Sequence, residues 1–84
     1  MDWTCVYGQD VYLNSELLGY VGRTDEGIGI LYLGKKEFCE IDENGKFWIG
    51  STQIGYIDDG GDIHMKGRVV GEVDSRNAIR FKSL

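Results

Sequence analysis

Short runs of apolar residues, with apolar and polar positions alternating, recur along the chain at nearly regular intervals. In the second half, residues 41–49 are followed sixteen positions later by the matching run 57–65, and a partial copy begins at Val73. Looser copies of the same unit occupy the first half. Short segments rich in β-branched and aromatic residues are typical of β-strands, and no window has a helical apolar period. The pattern predicts an all-β fold, in which residues 1–84 form a single domain of about four antiparallel β-hairpins.

The residues between the strands indicate the turns. Each predicted hairpin turns through two residues, which are Asn14-Ser15, Gly34-Lys35, Gly50-Ser51 and Lys66-Gly67. Glycine and asparagine are typical of the primed turns that match the twist of antiparallel strands. The connectors between hairpins open with Asp42, Asp58 and Asp74, whose carboxylates can accept backbone N–H bonds. Gly45, Gly61 and Asn77 then occupy an equivalent position that suits a left-handed backbone.

Two-residue turns pair Leu13 with Glu16 and Val11 with Leu18, which assigns a core face to each hairpin. The predicted core consists of Val11, Leu13, Leu18, Leu31, Leu33, Phe38, Phe47, Ile49, Ile54, Ile63, Met65 and Val70. The opposite face carries Tyr12, Tyr32, Trp48, His64 and Arg80 on one strand of each unit, and Gly19, Cys39, Gly55 and Gly71 on the other. A single hairpin cannot shield three apolar side chains, so the hairpins must pack together.

The chain ends are expected to complete the assembly. We predict a closed or nearly closed ring of hairpins in which residues 3–7 pair beside residues 79–81, because this arrangement hides strand edges. A small β-barrel or a meander is the alternative. Residues 22–29 form a longer connector than the later ones, and we expect them to be a mobile surface loop.

Charge and cysteine content narrow the classes of partner. The chain has 84 residues and a net charge of −5, with no run of Lys or Arg, so nucleic acid binding is not expected. No apolar run approaches the ~20 residues of a membrane span, and no signal peptide is recognisable. With only Cys5 and Cys39, a cytoplasmic location with reduced thiols is the expectation, although a bridge between the two stays open.

The sequence contains no recognisable catalytic or metal-binding motif. His64 is the sole histidine, and it occupies the repeat position of Tyr12, Tyr32 and Trp48, which favours a structural ring. Cys5, Cys39 and His64 are too scattered for a zinc site. We therefore expect no enzyme activity, no metal and no cofactor.

The unit also resembles a known family. Residues 11–21 contain the order aromatic residue, leucine, turn, apolar residue, glycine, tyrosine, apolar residue, and residues 53–57 repeat its last four positions. Both segments are similar to the units of the 4-fold β-flower domain. That family is a small bacterial domain whose hairpins radiate about a pseudo-fourfold axis. The resemblance implies an architecture and no chemistry, because the family has no established activity.

Two kinds of function remain on these grounds. The outward rings can be structural covers for the glycine strands, or they can form a recognition surface. The candidate binding residues are Tyr12, Tyr32, Trp48, His64, Tyr20 and Tyr56. We expect a non-catalytic interaction module that binds a protein partner or self-associates as an oligomer. The alternative is a module that binds a small ligand or a carbohydrate by stacking on these rings.

Overall fold

The structure is a computed structural model, and it describes residues 2–84. Within that span a short 3-10 helix, Thr4–Val6, precedes nine β-strands. The strands are β1 (Asp10–Leu13), β2 (Glu16–Arg23), β3 (Gly29–Leu33), β4 (Lys36–Ile41), β5 (Lys46–Ile49), β6 (Thr52–Ile57), β7 (Asp62–Met65), β8 (Arg68–Val73) and β9 (Ile79–Phe81). The all-β prediction is confirmed.

The nine strands form a closed barrel in which each strand pairs with its neighbours in sequence order. Four hairpins, β1–β2, β3–β4, β5–β6 and β7–β8, follow one another around the ring, and β9 is the half unit left at the end. The predicted closure is confirmed. All connectors lie at one end of the barrel, which we call the connector end. All two-residue turns lie at the other, the hairpin end.

Closure does not use the segment that the sequence suggested. β9 pairs in parallel with β1, so that Tyr12 lies beside Arg80, whereas residues 3–7 are not in a strand. Trp3 is instead 5% exposed, donates its backbone N–H to the carbonyl of Glu43 at 2.8 Å, and packs against Gly45 and Gly61. The N-terminal segment therefore plugs the connector end. The prediction failed because this segment hides its apolar side chains inside the barrel end and needs no strand partner.

The turns follow the predicted chemistry. The first residue of each hairpin turn has a positive φ, with 55° at Asn14, 66° at Gly34, 61° at Gly50 and 55° at Lys66. Positive φ at that position defines the primed turns, which confirms the four two-residue turns. The connector residues Gly45, Gly61 and Asn77 are also left-handed, with φ of 82°, 90° and 65°.

A β-bulge in every hairpin corrects the predicted pairing. Leu13 pairs with Glu16 as expected, but Val11 lies opposite Gly19, not Leu18, because Leu18 is an extra residue between two rungs. The same shift recurs in the other hairpins at Phe38, Ile54 and Val70. Bulges of this kind increase the twist that lets a small sheet close on itself.

The bulge turns the small residues towards the core. Gly19, Cys39, Gly55 and Gly71 lie opposite Val11, Leu31, Phe47 and Ile63, the four deeply buried residues of the first strands. Their placement on the outer face was wrong. They are small for another reason: a Cβ at Gly71 would lie 2.8 Å from the backbone Cα of Phe81 and closer still to the Arg80 carbonyl oxygen. The glycines allow each hairpin to approach the next.

Cys39 is the one residue at these four positions that is not glycine, and its pairing with the next hairpin also differs. Where glycine stands, it forms a rung with the next hairpin, as in Gly55 with Met65 and Gly71 with Phe81. At the β4–β5 junction the rungs in the described chain are Glu40 with Trp48 and Ile41 with Phe47, and the Cys39–Ile49 rung is missing. Ile49, predicted to be buried, is 51% exposed.

The core contains side chains that the sequence pattern did not assign to it. The side chains that are fully buried include Val6, Val21, Ile41, Ile79 and Phe81, which are outside the predicted core set. Leu13, Leu33 and Met65, which belong to that set, are only partly buried. The core thus lies nearer the connector end than the alternation alone predicts.

Only residues 24–28 of the insertion at residues 22–29 lie outside the strands. The insertion lengthens the β2–β3 pair by two rungs, Gly22 with Ile30 and Arg23 with Gly29, and a turn at Thr24 then follows. The Thr24 hydroxyl accepts the backbone N–H of Ile28 at 3.1 Å, as the connector aspartates do in the later units. The expected loop is therefore shorter than predicted, because its two ends belong to β2 and β3.

The two cysteines are unpaired. Cys5 is exposed and Cys39 is buried in the barrel, so they do not form a bridge. Burial raises the pKa of the Cys39 thiol to about 12.

Candidate binding site

Each connector aspartate holds a turn with one oxygen and a side chain of the outer face with the other. Oδ1 of Asp58 accepts the backbone N–H groups of Gly60 and Asp62 at 2.9 and 3.0 Å. Its Oδ2 lies 2.8 Å from Nε2 of His64. The turn-opening role of the aspartates, predicted from the sequence, is confirmed.

The same arrangement recurs in the neighbouring units with different side chains. The indole Nε1 of Trp48 donates to Oδ2 of Asp42 at 2.9 Å, and the guanidinium of Arg80 donates to Oδ2 of Asp74 at 3.2 Å. In all three units the partner stands six residues after the aspartate. We call each of these pairs an aspartate clamp.

The clamps hold outer-face side chains in fixed orientations. Hydrogen bonds from His64 and from the turn N–H groups lower the pKa of Asp58. Partial burial opposes the same shift at Asp74, but the N–H groups of Arg76 and Ala78 together with the Arg80 guanidinium lower its pKa. Both carboxylates are thus stabilised in the ionised form that the clamps require.

The predicted site residues lie around the outside of the barrel, and the structure brings four of them together as two pairs. Tyr20 on β2 and Tyr32 on β3 are stacked, with ring centroids 4.8 Å apart and an angle of 15°. Tyr56 on β6 and His64 on β7 are stacked at 4.6 Å and 2°. The two pairs are separated by β4 and β5 on one side of the barrel and by β8, β9 and β1 on the other, and they do not form one surface.

The other two predicted residues are not part of either stack. Tyr12 lies under the Arg80 guanidinium, whose central carbon is 4.4 Å from the ring centroid. Trp48 lies beside Glu40 on the neighbouring strand and is held by Asp42. The expectation that each ring covers the glycine strand of its own hairpin is wrong for Gly19, Gly55 and Gly71, because these face inwards. Gly22, in contrast, lies under the edges of Tyr20 and Tyr32.

Two further apolar side chains extend the rings on the outer face. Leu17 pairs with Tyr12, and Val69 pairs with His64. They are 59% and 49% exposed. The predicted register already placed Leu17 opposite Tyr12 and Val69 opposite His64, but the sequence reasoning counted only rings and glycines on the outer face and so missed both. It missed the aspartate clamps because a spacing of six residues has no meaning until the turn geometry is known.

Shallow clefts accompany the rings. One of about 340 Å³ lies along Gln53, Tyr56, His64 and Lys66. Another of about 350 Å³ lies between Tyr12 and Arg80 on one side and the turn that follows Asp74 on the other. Both are open and mixed in polarity, so they can accommodate a polar molecule lying against a ring.

The arrangement provides hydrogen-bond acceptors and flat rings, and it holds the only histidine in a clamp. Nε2 of His64 is hydrogen-bonded to the Asp58 carboxylate, and one face of its imidazole ring is covered by Tyr56. Within residues 2–84 no group of three or more His, Cys, Asp or Glu side chains is placed to hold a metal ion.

Comparisons with other proteins add no assignment. No family model matches the chain, and neither a curated protein nor a solved structure matches it. None of the helical structure described in residues 2–84 has the length and apolar character that crossing a membrane requires. What is established is a small all-β domain whose hairpins form a closed barrel.

Proposed function

We propose that the domain is a non-catalytic interaction module that self-associates through the outward side chains of β1, β2 and β3. We call this surface the tyrosine face, and it consists of Tyr12, Leu17, Tyr20 and Tyr32. The observation that carries the proposal is the exposure of adjacent large apolar side chains, with Leu17 59% and Tyr20 47% exposed. Exposed apolar groups that are contiguous, and not scattered, mark interaction surfaces.

The side chains of the tyrosine face are already ordered in the free domain. Tyr20 and Tyr32 restrain each other by stacking, and Arg80 lies over Tyr12 while its guanidinium is held by Asp74. Rigid aromatic side chains supply contact area at a low cost in conformational entropy. A surface built in this way suits binding better than one made of long flexible side chains.

A second copy is the partner we propose, because one tyrosine face can stack on another about a twofold axis. The face is small, so we expect an interface at or below the low end of the size range, near 1,200 Å², and weak association. The net charge of −5 opposes the contact, and added salt should therefore strengthen it.

Three further points belong to this proposal. The repeated hairpins around a ring support kinship with the 4-fold β-flower domain. The two unpaired cysteines support a cytoplasmic location. The absence of catalysis is supported by His64, which is clamped and stacked, and by Cys39, whose thiol has its pKa raised to about 12 by burial.

Sedimentation equilibrium over a concentration series tests the proposal. We expect the average mass of the wild-type domain to rise between about 10 µM and 1 mM, as weak association requires. Tyr20→Ser should abolish the rise. Tyr56→Ser is the matched control, because Tyr56 is 43% exposed and belongs to the other stacked pair. A wild-type domain that stays monomeric at 1 mM, or a control as damaging as Tyr20→Ser, contradicts self-association.

A second candidate function is carbohydrate binding beside Tyr56. The cleft of about 340 Å³ that Tyr56 and His64 line, with Gln53 and Lys66 as polar neighbours, favours it. Nuclear magnetic resonance titration with maltotriose tests this function. Binding should shift the amide signals along β6 and β7 and should disappear in Tyr56→Ser but not in Tyr20→Ser. Unchanged spectra at millimolar maltotriose reject this candidate for glucose oligosaccharides.

A further inference from the structure

The two ends of the barrel differ, and only one of them is plugged. Trp3 fills the connector end, whereas the hairpin end opens into an apolar cleft of about 380 Å³. We call this cleft the apolar mouth. It is lined by Leu33, Phe38, Ile49, Ile54, Met65 and Val70. The volume lies within the range of small-molecule sites.

The apolar mouth exists because of two features of the repeat. The bulge residues Phe38, Ile54 and Val70 are directed to the hairpin end, where they line the cleft with the last residues of β3, β5 and β7. In addition, the β4–β5 pair has no rung between Cys39 and Ile49, and Ile49 is 51% exposed at the rim. Leu84 lies at the same rim and is 55% exposed. Water contacts these apolar groups in the free domain, so a ligand that replaces it is favoured.

Positive charge surrounds the mouth in a protein that is acidic overall. Lys66 and Arg68 are part of the lining. The hairpin turns and the strand residues that flank them also include Lys35 and Lys36, against one acidic residue, Glu16. The acidic connectors lie at the other end of the barrel. The fold therefore separates a basic end from an acidic end, although the net charge is −5.

The two lining cations are not neutralised by the protein. The contacts between oppositely charged or chargeable side chains within residues 2–84 are His64 with Asp58, Arg80 with Asp74 and Lys82 with Glu72, and none involves Lys66 or Arg68. An anionic group at the rim would therefore meet two charges that have no competing partner. Arginine and lysine bind carboxylates well when the stems of their side chains pack on apolar surface, as they do at such a rim.

We propose that the apolar mouth binds a single-chain aliphatic carboxylate, with its hydrocarbon tail against Phe38, Ile54 and Val70 and its carboxylate at Lys66 and Arg68. The concave shape suits one inserted chain better than the flat surface of a bilayer. The cationic rim selects an anionic head, and the lining offers nothing to a purely polar ligand. This site is distinct from the tyrosine face, so the proposal does not depend on self-association.

Titration with sodium dodecanoate, kept below its micelle-forming concentration, tests the proposal by nuclear magnetic resonance. We expect saturable shifts of amide and methyl signals at the hairpin end, with the connector end unchanged. Each buried methylene contributes about 0.8 kcal/mol, so decanoate should bind about tenfold more weakly than dodecanoate. Dodecyltrimethylammonium has the same tail length and the opposite charge, and it should bind at least about tenfold more weakly than dodecanoate.

Matched variants separate the role of the rim from a general charge effect. Lys66→Gln/Arg68→Gln should weaken dodecanoate binding about tenfold, as expected for the loss of two cationic contacts. Lys46→Gln/Arg76→Gln removes the same charge at or near the connector end and should leave the affinity unchanged. Ile49→Asn changes an exposed side chain that the fold does not need, and it should weaken binding of the tail without unfolding the barrel.

Three outcomes overturn the proposal. The first is equal affinity for the cationic and anionic amphiphiles, and the second is a set of shifts spread over the whole barrel, which indicates detergent-like unfolding. The third is binding to vesicles of phosphatidylcholine and phosphatidylglycerol without any binding of monomeric dodecanoate. That result assigns the hairpin end to a membrane surface.

Discussion

The close packing around the inward-facing glycines predicts that a methyl group added at one of them lowers the stability of the barrel. In Gly55→Ala the new Cβ would lie 2.7 Å from Cγ of Met65, against about 3.4 Å for an ordinary contact, and nearer still to the carbonyl oxygen of His64. The Met65 side chain can rotate away, but the His64 carbonyl belongs to the backbone of β7. The β6–β7 pair must therefore lose its Gly55–Met65 rung, just as the β4–β5 pair has no rung between Cys39 and Ile49.

The magnitude follows from the two contacts that are lost. Overpacking of a well-packed site costs about 1–3 kcal/mol. Loss of a ladder hydrogen bond at the Gly55–Met65 rung adds about 1 kcal/mol. A domain of this size has a free energy of unfolding of about 4–13 kcal/mol, so Gly55→Ala removes a large part of it. With a urea dependence near 1 kcal/mol per molar, the midpoint should fall by about 2–4 M.

Gly60→Ala is the matched control. A Cβ at Gly60 meets only Oδ1 of Asp58, at 3.4 Å, and the backbone there is not left-handed. We expect a change within about 0.5 kcal/mol of zero, or a small gain because alanine reduces the entropy of the unfolded chain. Urea unfolding followed by tryptophan fluorescence measures both variants. Midpoints of Gly55→Ala and Gly60→Ala that agree within about 0.5 M refute the proposed packing of the hairpins.

The remaining predictions concern the aspartate clamps and the cysteines. Asp42→Asn keeps an oxygen for the turn but removes the acceptor of the Trp48 indole, so it should lower the free energy of unfolding by about 1 kcal/mol and shift the fluorescence of Trp48. Asp42→Ala should lower it by about 2 kcal/mol, because the turn also loses its acceptor. Equal losses in the two variants contradict the divided role of the carboxylate. Because folding lowers the pKa values of Asp58 and Asp74, the stabilisation from their ionised carboxylates is present above the ordinary value of 3.8 and is lost as the pH falls through the lowered values. Urea midpoints should therefore drop on acidification below pH 3.8, and they should drop less steeply in Asp58→Asn. An identical pH profile for that variant counts against the clamp. With its pKa at about 12 instead of 9.0, the Cys39 thiol has about a thousandfold less thiolate at pH 8 than an ordinary thiol. A thiol reagent should therefore modify Cys5 at once and Cys39 only on unfolding. Rapid modification of both cysteines in the native domain shows that the assignment of Cys39 to the core is wrong.

Local turn chemistry made the hairpins predictable. Asn14, Gly34, Gly50 and Lys66 begin turns of two residues, and Asp42 begins a connector whose carboxylate accepts N–H groups two and four residues later. These interactions involve neighbours in sequence, so the residue types carry the information. The number of hairpins and the closed ring followed from the same signals.

The register within each hairpin was not predictable from alternation. Leu18 and its equivalents are apolar, and an apolar extra residue in a bulge looks the same as an apolar residue in a regular rung. The error moved the small residues to the wrong face. The spacing of glycines at 55 and 71, with cysteine at 39, showed that the position is special but not which neighbour requires it.

The role of the N-terminal segment depends on tertiary contacts that no local pattern records. Trp3 fits the space left by Gly45 and Gly61, which were recognised only as left-handed turn residues. The candidate site shares this limit. The rings were found from the repeat, but the division into two stacked pairs, the exposed Leu17 and the basic hairpin end appear only once the strands are assembled.

The central claim is that a fifth, half-complete unit closes the ring by pairing in parallel with the first strand. Nuclear Overhauser contacts between β1 and β9 test it most directly, together with hydrogen exchange of the amides in both strands. We expect contacts that place Val11 beside Ile79 and Leu13 beside Phe81, and protection of the Asn14 amide, which donates to the Phe81 carbonyl at 2.8 Å. Antiparallel contacts, or exchange of β1 and β9 as fast as that of open strand edges, would show that the barrel is not closed in this way.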